Sequence, residues 1–245
     1  MSAPFELPDM RDCGDCPIRY RAVCSRCEGD ELEQLNTMKT YKVYQPGETL
    51  QWAGEDMDHV GSIVVGAASI SQTLEDGRRQ MVGLLLPSDF VGRPGRATSP
   101  FDVTAMAETV VCRFKRREFE SMVSDSPAVS QRLLEMTLDE LEAARAWMTV
   151  LGRKTAREKV ASFLAILAER RATLTPGRAP GEIAFDLPLS RDAIADYLGL
   201  TIETISRQFS ALRKAGIIAL DGARHVRVPD YEVLREAAGE DPEFD

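Results

Sequence analysis

Four of the chain's five cysteines, Cys13, Cys16, Cys24 and Cys27, fall within fifteen residues in the stretch RDCGDCPIRYRAVCSRCEGDE, and the fifth, Cys112, lies far downstream. The start, MSAPFELPDM, has neither a basic n-region nor an apolar run, so it does not read as a secretory signal, and the expected address is cytoplasmic. In a reducing compartment, clustered thiols point to metal binding or redox chemistry rather than structural disulfides. Two metals suit such a set. Four thiolates are the usual ligands of a 4Fe–4S cluster. Zinc on two Cys-x2-Cys pairs would use the four early cysteines, although the seven residues between the pairs are fewer than in the usual ribbon. It would leave Cys112 as an ordinary buried thiol.

A second constellation sits in LSRDAIADYLGLTIETISRQFSALRKAGII. Ser190 is a good N-cap, and Ile194, Tyr197 and Leu198 give a first helix one apolar face. Gly199 supplies the left-handed residue that a tight helix-to-helix turn requires. Thr201 caps a second helix with Ile205, Phe209 and Leu212 inward. That leaves Glu203, Thr204, Ser206, Arg207 and Gln208 on a polar face near the helix start, the part of a recognition helix that meets base edges. Arg207 can donate two hydrogen bonds to guanine, Glu203 can accept from cytosine, and Ser206 is short and adaptable. Arg213 and Lys214 suit phosphates. GIIALDGARHVRV reads as a hairpin turning at Asp221-Gly222, a wing with Arg224 near its tip as another phosphate contact. The expected partner is double-stranded DNA; the competing reading is a polar face for a protein partner. Charge agrees with DNA. The chain carries −9 overall, but residues 152–228 carry +5 and the remainder −14.

The elements that must position these residues follow from periodicity. Residues 1–30 are short on apolar periodicity and rich in Cys, Pro, Asp and Arg, a segment expected to bury little surface without metal. From Tyr41 to Phe114 the pattern is β: YKVYQPGETLQW with a Pro-Gly turn, then VGSIVVGAASISQTL, then an Asp76-Gly77 hairpin cue, RRQMVGLLL and DVTAMAETVVCRF. Ala68, Ile70 and Leu74 alternate with Ser69, Ser71 and Thr73, as in a half-buried strand. Val110, Cys112 and Phe114 share one strand face. Short strands with turns between them predict a small antiparallel roll. A long helix then starts at Ser126-Pro127 and ends at Gly152. Leu134, Leu138, Leu141 and Met148 form its stripe, interrupted by Arg145 and widened by Leu133, Ala144 and Leu151. This is either a core helix or, as its length and acidic outer face favour, a coiled-coil seam between two copies. Thr155-x-x-Glu158 is a capping box opening the next helix, whose apolar face is Val160, Phe163, Leu164 and Leu167. TLTPGRAPGE is a connector, and IAFDLPL contains a short strand.

Roll, long helix and winged helix, in that order, resemble the Crp/Fnr superfamily of bacterial transcription regulators over nearly the whole chain. DYLGLTIETISRQ is similar to its signature helix-turn-helix, and Glu203, Ser206 and Arg207 fall on the E-x-x-S-R pattern of the FNR branch. The resemblance implies an α+β fold: a cysteine-rich segment (1–30), a β-roll like a cyclic-nucleotide-binding jelly roll (31–126), a dimerisation helix (127–152) and a winged helix (153–245). It implies an activator, a homodimer on an inverted repeat of TTGAT-like half-sites, RNA polymerase as a further partner, and oxygen as the input. It also implies a 4Fe–4S cluster held by three N-terminal cysteines and one in the roll, here Cys13, Cys16, Cys24 and Cys112, with Cys27 as alternate to Cys24. Such a cluster would clamp the leading segment beside the dimer helix.

Two departures matter. The family's best-known spacing is Cys-x2-Cys-x5-Cys, whereas this chain has seven residues in the second gap and one thiol to spare. In nucleotide-binding relatives a Gly-Glu pair and a later Arg hold ribose and phosphate. Here SDFVGRPGRATSPFDVTA has the Gly without the Glu and no Arg just before the final strand, so no cyclic nucleotide is expected, and Arg93 and Arg96 read as loop residues. An enzyme is not expected: there are two histidines, His59 at a strand edge and His225 in the wing, and no phosphate-binding loop, dinucleotide fingerprint or paired-histidine zinc helix. Lys115-Arg116-Arg117 reads as a solvated face, and Trp52 and Trp147 as packing residues. No run is long and apolar enough for a bilayer, so no membrane partner is expected.

Overall fold

A computed structural model of the chain describes residues 12–174 and 182–240. The first eleven residues of the cysteine-rich segment, the middle of the connector and the last five residues lie outside the described residues. The chain forms two compact units. One holds the described residues up to Gln72 with Leu84–Glu140; the other holds Thr73–Gly83 with the described residues from Leu141.

Up to α2 the chain forms a roll of eight short strands, all in the first unit but for the hairpin Thr73–Gly83: β1 (Thr40–Tyr44), β2 (Thr49–Gln51), β3 (His59–Val65), β4 (Ala68–Thr73), β5 (Arg79–Leu85), β6 (Phe90–Val91), β7 (Asp102–Ala105) and β8 (Thr109–Lys115). They form two sheets, ordered β1-β8-β3-β6 and β2-β7-β4-β5. Tyr44, Ile63, Ala68, Leu85, Val91, Val103 and Val111 meet between them as the core. The run VGSIVVGAASISQTL is not one strand but two, in different sheets. Gly66 makes the break, with φ +87° and the carbonyl of Glu108 only 2.3 Å from where a Cβ would stand. Nor does the expected alternation hold. Ser69 and Ser71 are buried in β4, between β7 and β5, with the Ser69 hydroxyl donating to the Thr104 carbonyl (3.4 Å), while Leu74 is exposed in the hairpin turn.

Three helices join this unit. α1 (Gly29–Met38) was not foreseen in the sequence; it anchors Leu35 in the interior. α2 (Arg116–Asp125) lays Phe119 on Phe114 and Phe90, each pair of rings 5.4 Å apart. Arg116 is not solvated as expected: its Nε donates to the Met57 carbonyl (2.7 Å) and it pairs with Glu120 (2.8 Å). α3 (Pro127–Arg153) is the long helix; its first turn is capped by Ser126, whose hydroxyl accepts from the Val129 amide (3.2 Å). Gly152 lies inside its last turn rather than ending it. Trp52, expected to pack, is half-exposed because β2 ends at Gln51 and the chain leaves the sheet there.

The second unit is built on α4 (Ala156–Thr173), whose Thr155/Glu158 capping box is complete. Its buried surface is broader than one stripe, from Val160 to Ala168 apart from Ile166, because β9 (Ile183–Asp186), α6 (Ile202–Lys214) and α7 (Tyr231–Ala237) all pack on it. α5 (Arg191–Leu198), β10 (Ala219–Asp221) and β11 (His225–Val228) complete it, with the small sheet ordered β10-β11-β9. Trp147 packs on Tyr197, ring centroids 4.6 Å apart.

Candidate DNA interface and thiol site

The helix pair α5–α6 forms because its ends are specified. Ser190 accepts from the Ala193 amide and Thr201 from the Thr204 amide (both 3.2 Å), and Gly199 sits at φ 62°, ψ 43° between them. Each such cap contributes about 1 kcal/mol. Ile194, Leu198, Ile205, Phe209 and Leu212 are buried, which fixes the rotation of α6 and turns its polar face outward. Arg191 stacks over the Phe209 ring at 3.2 Å, tying the start of α5 to α6; burial lowers its pKa to about 10.

On the outward face Thr201, Glu203, Ser206, Arg207, Arg213 and Lys214 are exposed, and Gln208 is half-buried. Sequence reading missed the role of Thr204. Its hydroxyl accepts from an Arg207 Nη (3.2 Å) and lies 3.1 Å from the Thr201 hydroxyl, a chain that presets the guanidinium. The i, i+3 spacings were visible in the sequence, but the rotamers that use them were not. The carboxyl of Glu203 is held below its usual range by its own backbone N–H and then by the Thr201 hydroxyl, with Arg207 adding to both. Asp221-Gly222 turns the wing, leaving Arg224 exposed beside it. His225 pairs with Asp186 (2.8 Å).

The segment Asp12–Glu28 folds as successive turns over the roll and buries Ile18, Ala22 and Val23, more than its composition suggested. Cys13, Cys16 and Cys27 are buried, as is Cys112 on β8; Cys24 is half-buried. Burial pushes the Cys112 thiol up, and the charges of Cys16, Cys13 and Cys24, in that order, push it further. Burial, then Cys16, raises Cys24 to about 12. Cys27 rises to about 11 through burial and then Glu31; Cys13 acts on it also. Cys16, Cys13 and Cys24 thus all act on Cys112, while Glu31 acts on Cys27 ahead of Cys13, and Cys27 in turn acts on Cys24. Among the described residues no three side chains already surround a single-ion position.

Residues the sequence did not single out hold this patch. Arg19, itself buried, donates to the carbonyls of Cys24 (2.6 Å) and Cys27. From α1, Asn36 accepts from the Cys13 amide (3.2 Å), and Lys39 Nζ donates to Cys13 Sγ (3.5 Å). The pKa of the Tyr41 hydroxyl, opposite Cys112 in the sheet, is raised by burial and then by the charges of Cys112, Cys16 and Cys13. Soft sulfur donors with cations beside them fit a sulfur-rich metal group.

The same segment is tied to α3. Arg26 grips Glu135 with two hydrogen bonds (3.0 and 2.6 Å), Arg132 donates to the Arg21 carbonyl (2.6 Å), and the Ser126 hydroxyl donates to Glu31 of α1. Along α3, Leu134, Leu138, Leu141 and Met148 are 44–73% exposed, an apolar stripe; Arg145 is exposed too.

Comparison with known proteins agrees with both halves. Residues 158–237 match the Crp-like helix-turn-helix domain, and residues 41–126 the cyclic nucleotide-binding domain. The chain is 60% identical over 237 residues, 96% of each chain, to the transcriptional activator protein FnrL of Cereibacter sphaeroides. It is 29% identical to the fumarate and nitrate reduction regulatory protein of Escherichia coli, over 93% of this chain and 90% of that one. The solved structure of FixK2 from Bradyrhizobium japonicum superposes with a TM-score of 0.71 at 35% identity, covering 81% of this chain and 96% of that one. With the DNA-reading helix pair, the roll and a likeness of this extent all in one chain, the protein belongs to the Crp/Fnr family of transcription regulators, among its FNR-type members, and is not an enzyme.

Proposed function

We propose that the chain is a cytoplasmic, oxygen- or redox-responsive transcription activator. It holds a 4Fe–4S cluster on Cys13, Cys16, Cys24 and Cys112 and, as a homodimer working with RNA polymerase, reads an inverted repeat of TTGAT-like half-sites. What supports this reading is that Cys13, Cys16 and Cys24, on a segment bonded to α3, all act on the buried Cys112 of β8. When bound, the cluster supplies a redox-labile link between the segment and β8.

The chain's own residues do the rest. Arg26, Arg21 and Glu31 hand the position of the segment to α3 through Glu135, Arg132 and Ser126. The leucine stripe of α3 buries against its copy, with the interrupting Arg145 keeping that pairing weak enough to respond. Pairing sets the spacing of the two α6 helices, on which affinity for two half-sites depends. Within each half-site Arg207, Glu203 and Ser206 read bases, and Arg213, Lys214 and Arg224 hold phosphates. Arg93 after Gly92, where nucleotide-binding relatives carry Glu, supports an input other than a cyclic nucleotide.

The test is iron and sulfide analysis with a visible spectrum of anaerobically isolated protein, followed by DNA binding before and after air. Brown protein that bleaches and releases DNA supports the reading. A colourless protein with one zinc per chain would replace it with a structural-metal regulator, and tight dimeric DNA binding without iron would refute it.

A further inference from the structure

Among the described residues Arg19 is the one buried charged side chain, 8% exposed, and it lies in the seven-residue gap between Cys16 and Cys24. Its backbone amide donates to the Cys16 carbonyl (2.9 Å), its Nη1 to the Cys24 carbonyl (2.6 Å) and its Nη2 to the Cys27 carbonyl. The Cys24 thiol in turn lies 4.0 Å from the Arg19 carbonyl. Cys24 and Cys27 are closed into a turn by the Cys27 amide, which also donates to the Cys24 carbonyl (3.0 Å). One residue therefore ties together three thiol-bearing positions, across the gap whose length departs from the family's best-known spacing. A buried charge is costly unless something offsets it. The two carbonyls satisfy N–H groups of the guanidinium but carry no net charge, and among the described residues both Nη atoms bond carbonyls rather than a carboxylate. The charge bears on sulfur instead. Burial raises the Cys16, Cys24 and Cys27 thiols, and the Arg19 charge works against that rise in all three.

We propose that Arg19 is a positioning residue for the cluster: it fixes the Cys24–Cys27 turn with its planar fork and supplies the buried positive charge that offsets the thiolates. The inference rests on the cluster of the proposed function and names what tunes it. The fork and the charge do different things. A guanidinium holds two carbonyls in a set relation that a single ammonium cannot hold, so the place of Cys24 is set by Arg19 as well as by the metal. Net charge and hydrogen bonding are among the factors that fix the reduction potential of a thiolate-bound cluster. A cation nearby favours the more negative state, so Arg19 raises that potential and sets how oxidising a condition the regulator tolerates. Lys39, whose Nζ donates to Cys13 Sγ (3.5 Å), stands beside another of the thiols but is only half-buried. A cation withdrawn from water acts more strongly on its neighbours than a hydrated one, which makes Arg19 the stronger of the two. An arginine that merely filled space would leave the potential where it is.

The test reconstitutes the full-length natural protein, Arg19→Gln and Arg19→Lys anaerobically with ferrous iron and sulfide. Iron content, resistance to a ferrous chelator and the midpoint potential are then measured, with circular dichroism to check the fold. Gln keeps a donor and loses the charge; Lys keeps the charge and loses the fork. Expected in Arg19→Gln is a midpoint shifted to more negative values, with half the iron removed by roughly tenfold less chelator. Arg19→Lys should keep a midpoint close to the natural one while also giving up its iron more readily. Should Arg19→Gln take up no iron, Arg19→Lys decides: a loaded Lys variant supports the charge role, and a folded but equally empty one overturns it. An iron-loaded Arg19→Gln with the natural midpoint overturns the proposal and leaves the proposed function standing. Natural protein that takes up no iron overturns both.

Discussion

Arg207, the base reader of the proposed function, is already tethered to Thr204, which leaves it little rotamer freedom to lose on binding. Arg207→Ala is expected to remove about 1–3 kcal/mol of discrimination between a cognate and a mutated half-site, measured at fixed salt. Thr204→Val keeps the shape but frees the guanidinium. It should lose a smaller part of that discrimination, about 0.5–1.5 kcal/mol, while affinity for unrelated DNA stays unchanged. Lys214→Ala should behave oppositely, weakening all sequences alike and reducing the slope of log K against log salt by about 1. Among the thiols, Cys112→Ser should abolish iron binding and Cys27→Ser should spare it, read by iron content after anaerobic isolation. The reverse would exchange their roles. The sequence alone left Cys27 and Cys24 interchangeable because spacing says nothing about facing. What distinguishes them is charge: Cys24 is among the thiols that act on Cys112, whereas Cys27 is not and has Glu31 as its foremost charged neighbour.

At the scale of elements, the junction between the cysteine segment and α3 is made of exposed or half-exposed polar contacts. As stability these surface contacts are small. Their consequence is geometric. Arg26→Ala with Glu135→Gln should leave iron content and folding intact yet weaken dimer-dependent DNA binding, so that a half-site and a full inverted repeat bind more nearly alike in a mobility-shift titration. Nothing in the sequence pointed to this junction, since it joins residues more than a hundred positions apart. What local rules govern was legible: the Thr155/Glu158 box, the Ser190 and Thr201 caps, the left-handed Gly199 and the Asp-Gly turns are all as read. What depends on partners across the fold was not. Apolar periodicity ran straight through Gly66, where the close approach of the Glu108 carbonyl forces a break. α1 is too weakly patterned to declare itself before Leu35 finds its pocket, and Arg116 looked solvated until the Met57 carbonyl came beside it.

For the whole molecule, the exposed stripe from Leu134 to Met148 is the seam of the proposed homodimer. Each leucine carried out of water contributes on the order of 1 kcal/mol or more, so Leu138→Glu should shift sedimentation toward the monomer and sharply reduce binding to the inverted repeat, while half-site contacts persist. A final consequence comes from β8. Its outward row presents a thiol and its inward row a guanidinium at the very next position. Because alternate side chains of a strand face opposite ways, sliding that ribbon by one place would drive Arg113 into the sulfur patch and Cys112 into the barrel lumen. The turn between β7 and β8 can therefore accept length changes only if the strand keeps its place against both neighbours, and homologous chains that lengthen this turn should do so without moving the Cys112–Tyr41 pairing.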